Sequence, residues 1–222
     1  MARRRSLGPG PWILLCALAV AALLVAERRH SQRGKWLAKP IASAAFVATA
    51  LASQALQSVY GWLVLLALTL CLLGDVLLIP TDRDKVFRAG VFAFLAGHVA
   101  YGAAFLTQDM SVAWLTVGAA LLGAVLALVW RWLRKALPDA MRGAVLAYLV
   151  VIGAMTALAL GCTGGGGPVT VALGAVAFTA SDVSVARDRF VREDFYNRAW
   201  GLPLYYCAQL LLALSPAAMA SS

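Results

Sequence analysis

Leu70-Cys71-Leu72-Leu73-Gly74-Asp75-Val76-Leu77-Leu78-Ile79 is an apolar run of membrane-spanning character that carries one carboxylate near its end. An ionised Asp at the centre of a lipid-facing helix costs about 2.5–3.5 kcal/mol on insertion scales, so such a group faces a polar interior and has a partner. Asp75 therefore marks a site. About half a chain later, Ala177-Phe178-Thr179-Ala180-Ser181-Asp182-Val183 repeats the order of small residue, Asp and Val. The fold is decided by what surrounds these two runs.

The 222-residue chain is 62% apolar and 13% charged, far from the roughly 45–50% and 25% of soluble domains. It reads as an integral membrane protein with one membrane domain, residues 1–222. Its net charge of +9 suggests nucleic acid, but the basic residues cluster between apolar spans instead of along one face. Topology and anionic lipid account for them, and no nucleic-acid partner is expected. Cys16, Cys71, Cys162 and Cys207 show no C-x-x-C spacing and read as small apolar residues.

An apolar run over residues 11–26 follows Arg3, Arg4 and Arg5. It resembles a signal peptide but lacks a convincing cleavage site after its end, so an uncleaved helix is expected. Seven more segments lie near residues 40–55, 59–79, 89–107, 111–130, 143–161, 168–186 and 202–219. Each is close to the roughly 17–25 residues a helix needs to cross hydrocarbon. The expectation is an all-α, polytopic bundle of about eight transmembrane helices.

Sixteen of the nineteen Lys and Arg residues fall in alternate connections, at 28–39, 83–88, 131–142 and 187–198. By the positive-inside rule that end faces the cytoplasm of a cell membrane. Arg3, Arg4 and Arg5 then lie opposite, against the rule at one place. The glycine-rich segment Gly161-Cys162-Thr163-Gly164-Gly165-Gly166-Gly167-Pro168 lacks the Lys-Ser/Thr of a phosphate loop and reads as a turn. Trp130-Arg131-Trp132-Leu133-Arg134-Lys135 reads as an interfacial anchor.

With this topology the polar groups converge. Asp75 lies about four residues before Pro80, roughly 6–9 Å deep at 1.5 Å per residue, and Asp182 lies at a similar depth before Arg187. His98 is roughly 15 Å in from Arg88, with Tyr101 a turn further. Tyr205 and Gln209 share one face of the last helix by their i, i+4 spacing, beside Tyr206. Lys39 stands at the rim, ahead of Pro40. The result is a polar pocket opening toward the basic end. Gly74-Asp75-Val76 and Ser181-Asp182-Val183 stand 107 residues apart, which suggests a parallel repeat of four helices plus four.

Lys39-Pro40, Leu73-Gly74-Asp75, the run from Gly90 through Gly97-His98-Val99-Ala100-Tyr101, the run from Gly174 to Ser181-Asp182, and Pro203-Leu204-Tyr205-Tyr206-Cys207-Ala208-Gln209 together resemble the YhhN family, which includes the lysoplasmalogenases. The resemblance implies hydrolysis of the vinyl ether bond of lysoplasmalogen to a fatty aldehyde and a glycerophospho-alcohol, the partners being a lysophospholipid substrate and membrane lipids. Two carboxyl groups fit that chemistry, one delivering a proton and one assisting water. Asp75, Asp182 and His98 are the expected catalytic residues. Lys39, with Arg88 or Arg198, is expected at the phosphate, and Tyr101, Ser181, Tyr205, Tyr206 and Gln209 at the rest of the substrate.

No cofactor and no metal are expected. The only other histidine is His30, and Asp, Asp and His make a weak zinc set. Serine hydrolysis lacks its G-x-S-x-G elbow. The rival class is a proton-coupled carrier or lipid translocase, because buried acids at a repeat interface suit that function as well. Nothing in the residues sets an oligomeric state.

Overall fold

Four of the eight helix starts are set by short polar side chains. Ser31 Oγ accepts from Gly34 N at 3.2 Å, Ser58 Oγ from Gly61 N at 3.0 Å, Ser111 Oγ from Trp114 N at 3.4 Å, and the Asp194 carboxylate from Asn197 N at 2.8 Å. These N-caps satisfy backbone donors that the first turn leaves free. The computed structural model describes residues 8–80 and 83–220, and is all-helical. Arg3, Arg4 and Arg5, the residues that conflict with the charge rule, lie outside the described residues.

Among those residues there are eight helices: α1 Gly10–Arg28, α2 Gln32–Ala52, α3 Val59–Leu77, α4 Asp84–Leu106, α5 Val112–Leu133, α6 Asp139–Gly164, α7 Val169–Phe190 and α8 Phe195–Met219. A 3-10 turn, Ala55–Gln57, joins α2 to α3. Seven of the eight are long and apolar enough to cross a membrane; α2 is the exception. The protein is a polytopic helical bundle.

Two starts precede the sequence expectation by about two turns. The second helix begins at Gln32 instead of near residue 40, and the last at Phe195 instead of near 202. Pro40 and Pro203 look like helix openers because proline suits the first turn. Both lie inside their helices, since Ser31 and Asp194 provide the caps. The correction moves Lys39 from the rim to the second turn of α2, with only 14% of its side chain exposed.

The less apolar α2 sits within the bundle, against α1, α3 and α8. Its face of Ala38, Ala42, Ser43, Ala45, Phe46, Thr49 and Ala50 is buried. A helix surrounded by protein can carry polar groups that lipid would penalise. At the opposite extreme α5 is peripheral, and Trp114, Val117, Leu121, Val125 and Leu128 on it are exposed.

Ion pairs tie the basic ends together. Glu27 at the end of α1 meets Arg198 in α8 at 3.1 Å, and Arg189 at the end of α7 meets Asp84 at the start of α4 at 3.5 Å. The connections with Arg and Lys therefore share one end of the molecule.

The α7 and α8 backbones approach closely at glycines, as in membrane bundles where small residues let helices touch. A Cβ on Gly174 would lie 2.8 Å from Leu212 Cγ, and one on Gly201 would overlap Ser184 Oγ. Gly201→Val is therefore expected to destabilise the bundle by about 1–3 kcal/mol, the usual range for overpacking. A melting temperature in detergent equal to that of the unmodified protein contradicts this packing account.

Candidate active site

Asp75 faces inward from the last turn of α3 and is 2% exposed. Its Oδ1 lies 3.2 Å from the Lys39 ammonium of α2. Its Oδ2 accepts from Ser43 Oγ at 2.6 Å and from the Tyr205 hydroxyl of α8 at 2.8 Å. Ser43 falls one turn after Lys39, so the same face of α2 delivers both. Tyr206 OH stands 3.3 Å from Ser43 Oγ and so supports Asp75 from behind.

Asp182 comes from α7. Its Oδ2 lies 3.1 Å from His98 Nε2 of α4 and accepts from the Tyr148 hydroxyl of α6 at 3.2 Å. The other imidazole nitrogen, Nδ1, is 2.7 Å from the Phe94 carbonyl oxygen. His98 is fully buried, and its ring lies against Phe178 with centroids 4.3 Å apart. Phe178 also touches the Tyr205 ring at 5.5 Å. One aromatic side chain thus braces the partners of both acids.

Both carboxylates line one cavity of about 230 Å³, together with Lys39, Tyr148, Ser181, Arg198 and Tyr205. Away from the acids its wall is apolar: Val129 and Leu133 of α5 face Val145, Leu149 and Ile152 of α6. A second, polar chamber of about 360 Å³ shares Lys39, Phe87, Asp188 and Arg198 with the first, and adds Glu27, Lys35, Arg192 and Glu193. A polar mouth at the basic end therefore leads past Lys39 to the two acids and on to an apolar arm. Such a shape fits a molecule with a charged head, a reactive centre and one hydrocarbon tail.

The other residues singled out from sequence divide in two. Ser181 lines the cavity, its hydroxyl donating to Phe178 O at 2.7 Å. Tyr101 donates to Gln209 Oε1 at 2.7 Å, and both stand behind the lining, as does Tyr206. Arg88 is exposed and lines neither chamber. Arg198 lies at the mouth but is already engaged, with Glu27 at 3.1 Å, Asp188 at 3.1 Å and Glu193 at 2.5 Å. That guanidinium fastens α1, α7 and α8 and is not free for a ligand. The same hydrogen bond holds the Glu193 carboxyl below its ordinary range.

Ser43 and Tyr148 were missed from the sequence. Ser43 had a signal, its i+4 spacing from Lys39. Tyr148 had a weaker one, lying six residues inside Arg142 and hence roughly 9 Å deep, level with the acids. Among the described residues no group of three or more His, Cys, Asp or Glu side chains is placed to hold a metal.

This architecture is that of a multi-pass membrane protein with a buried acidic site reached from one end. The chain belongs to the YhhN family: residues 34–216 match the family model, from the first turn of α2 to near the end of α8. Over 148 residues it is 33% identical to a human protein named lysoplasmalogenase TMEM86A, covering 64% of this chain and 60% of that one. A Bos taurus protein of the same name is 33% identical over 150 residues, with the same coverage. The chain thus spans about three fifths of the length of these curated relatives. No solved structure matches it.

Proposed function

We propose that the protein hydrolyses the vinyl ether bond of a lysoplasmalogen, releasing a fatty aldehyde and glycerophosphocholine or glycerophosphoethanolamine. One observation carries the reading: two acids from helices half a chain apart line a single cavity with a charged mouth and one apolar arm. The names of the TMEM86A relatives supply the reaction class.

In this reading the alkenyl chain lies between α5 and α6, the ether stands between Asp75 and Asp182, and the phosphate remains at the mouth. Lys39 and Arg189 line both chambers and are the cations placed for that phosphate, with Arg192 in the polar chamber alone. Cleavage needs a proton on the alkene carbon beyond the ether carbon, then water on the resulting oxocarbenium. Acid and base catalysis of this kind contributes about 10²–10⁴-fold each. The opposing carboxylate favours the cation electrostatically in a site from which bulk water is largely excluded.

The basic end of the bundle faces the cytoplasm, and the substrate enters from that leaflet. A carrier would need access from both ends. Neither chamber is lined by a residue of the α4–α5 or α6–α7 connection, and Gly165 packs on the Asp109 backbone at the far end.

Purified protein in detergent, given lysoplasmenylcholine or lysoplasmenylethanolamine, should release free aldehyde in proportion to enzyme. Substrate that is bound, or moved across vesicles, without aldehyde would replace this reading with the carrier.

A further inference from the structure

The two acids keep different company. Asp75 meets an ammonium, which can only donate, and two hydroxyls with hydrogens to give. Such partners suit a standing carboxylate. At Asp182 the arithmetic of hydrogens differs. The Phe94 carbonyl can only accept, so His98 Nδ1, 2.7 Å away, carries a hydrogen. Nε2 is buried without an aligned hydrogen-bond partner, yet stands 3.1 Å from Asp182 Oδ2. A bare nitrogen lone pair against an ionised carboxylate at that distance is repulsive, and one more proton on either group relieves it.

Matching spacings along the chain sharpen the contrast. Asp182 follows Asp75 by 107 residues, and Tyr205 follows His98 by the same 107. Each acid is met by the partner at the matching offset, Asp75 by Tyr205 and Asp182 by His98. Helix pairs in contact follow the same shift of four: α1 with α2 and α5 with α6, α2 with α3 and α6 with α7, α2 with α8 and α6 with α4. At the matching offset the first acid meets a phenol and the second an imidazole.

We infer that the Asp182–His98 couple stores the proton that the reaction delivers, that Asp75 is the standing carboxylate, and that Tyr148 is a positioning residue for Asp182. This rests on the vinyl ether reading only for the use of the proton. The couple gives its proton to the alkene carbon, whose π electrons form the C–H bond and leave an oxocarbenium facing Asp75. Water adds to the cationic carbon and passes a proton to Asp75. In the hemiacetal the bond to the glycerol oxygen breaks with its electrons on that oxygen, which takes the proton back from Asp75. The hydroxyl hydrogen returns to the couple, and both acids end as they began.

The test reads the proton directly. His30 is exposed, at φ 51°, a conformation Asn tolerates, so His30→Asn leaves His98 as the one histidine. Nitrogen-15 NMR of labelled histidine in detergent should show hydrogen on Nδ1. Asp182→Asn should shift the Nε2 signal to that of a bare acceptor, while Asp75→Asn leaves it in place. Should Asp182→Asn fail to fold, Tyr148→Phe, which removes the other donor to Oδ2, should move the same signal. A ring hydrogen on Nε2 alone, an Nε2 signal that follows Asp75, or one indifferent to Asp182 and Tyr148 overturns the assignment. Absence of aldehyde release would remove the vinyl ether reading and leave these signals unaltered, so the two failures are distinguishable.

Discussion

Asp75→Asn is expected to lower aldehyde release by about 10²-fold or more, the range for loss of a catalytic carboxyl, while the protein still elutes as an assembled species in detergent. Asn keeps the shape of the side chain and can still accept from Ser43 and Tyr205, which donate to the Asp75 carboxylate at 2.6 and 2.8 Å. The Lys39 ammonium loses its counter-charge but lines the polar mouth, where water and headgroup can solvate it. Charge at the reacting carbon is what disappears. Initial rates at saturating lysoplasmenylcholine, set beside an elution profile, separate the two effects. Activity near that of the unmodified protein would remove Asp75 from the chemistry.

Lys39→Met acts in the opposite sense and is expected to be the more damaging to stability. It leaves the Asp75 carboxylate, only 2% exposed, without its cation, and breaking a buried pair from one side costs about 3–5 kcal/mol. The 14% exposure of the Lys39 side chain places the expected loss at the lower end of that range. Asp75→Asn introduced into Lys39→Met should restore much of the stability, because an uncharged amide needs no ammonium. Thermal unfolding of the single and double variants in one detergent checks this. Equal melting temperatures for the two would mean that the pair is not what holds Asp75 ionised.

Much of this site can be read from the residues. Asp75 and Asp182 stand out because a carboxylate inside an apolar run needs a reason, and their depths follow from 1.5 Å per residue along a helix. By the same count His98 falls deeper, roughly 15 Å in, and Lys39 at the rim. The count assumes correct helix starts, and there proline misleads: Pro40 and Pro203 sit within α2 and α8 because Ser31 and Asp194 cap those helices earlier. Ser43 and Tyr148 escaped because a single hydroxyl in an apolar helix ordinarily bonds its own backbone. Thr49 does so, donating to Ala45 O at 2.8 Å. Only the neighbouring helix shows that Ser43 also reaches a carboxylate.

Arg198 illustrates a different limit. As a residue at the membrane rim it suits a phosphate, yet Glu27, Asp188 and Glu193 converge on it from α1, α7 and the α7–α8 connection. Charge is additive along a sequence, but whether a guanidinium is free depends on which carboxylates the fold brings within about 4 Å.

By itself the sequence determined the class: 62% apolar residues, spans of bilayer length and basic connections at alternate ends leave a polytopic helical bundle as the solution, since backbone polar groups in hydrocarbon must bond within their own segment. It determined too that two acids would lie at similar depth. Tertiary structure alone decided their company, Lys39 and two hydroxyls at Asp75 against His98 and Tyr148 at Asp182. The reason is physical: depth is a one-dimensional quantity that a helix conserves, whereas hydrogen-bond partners depend on the rotation and packing of each helix against the others.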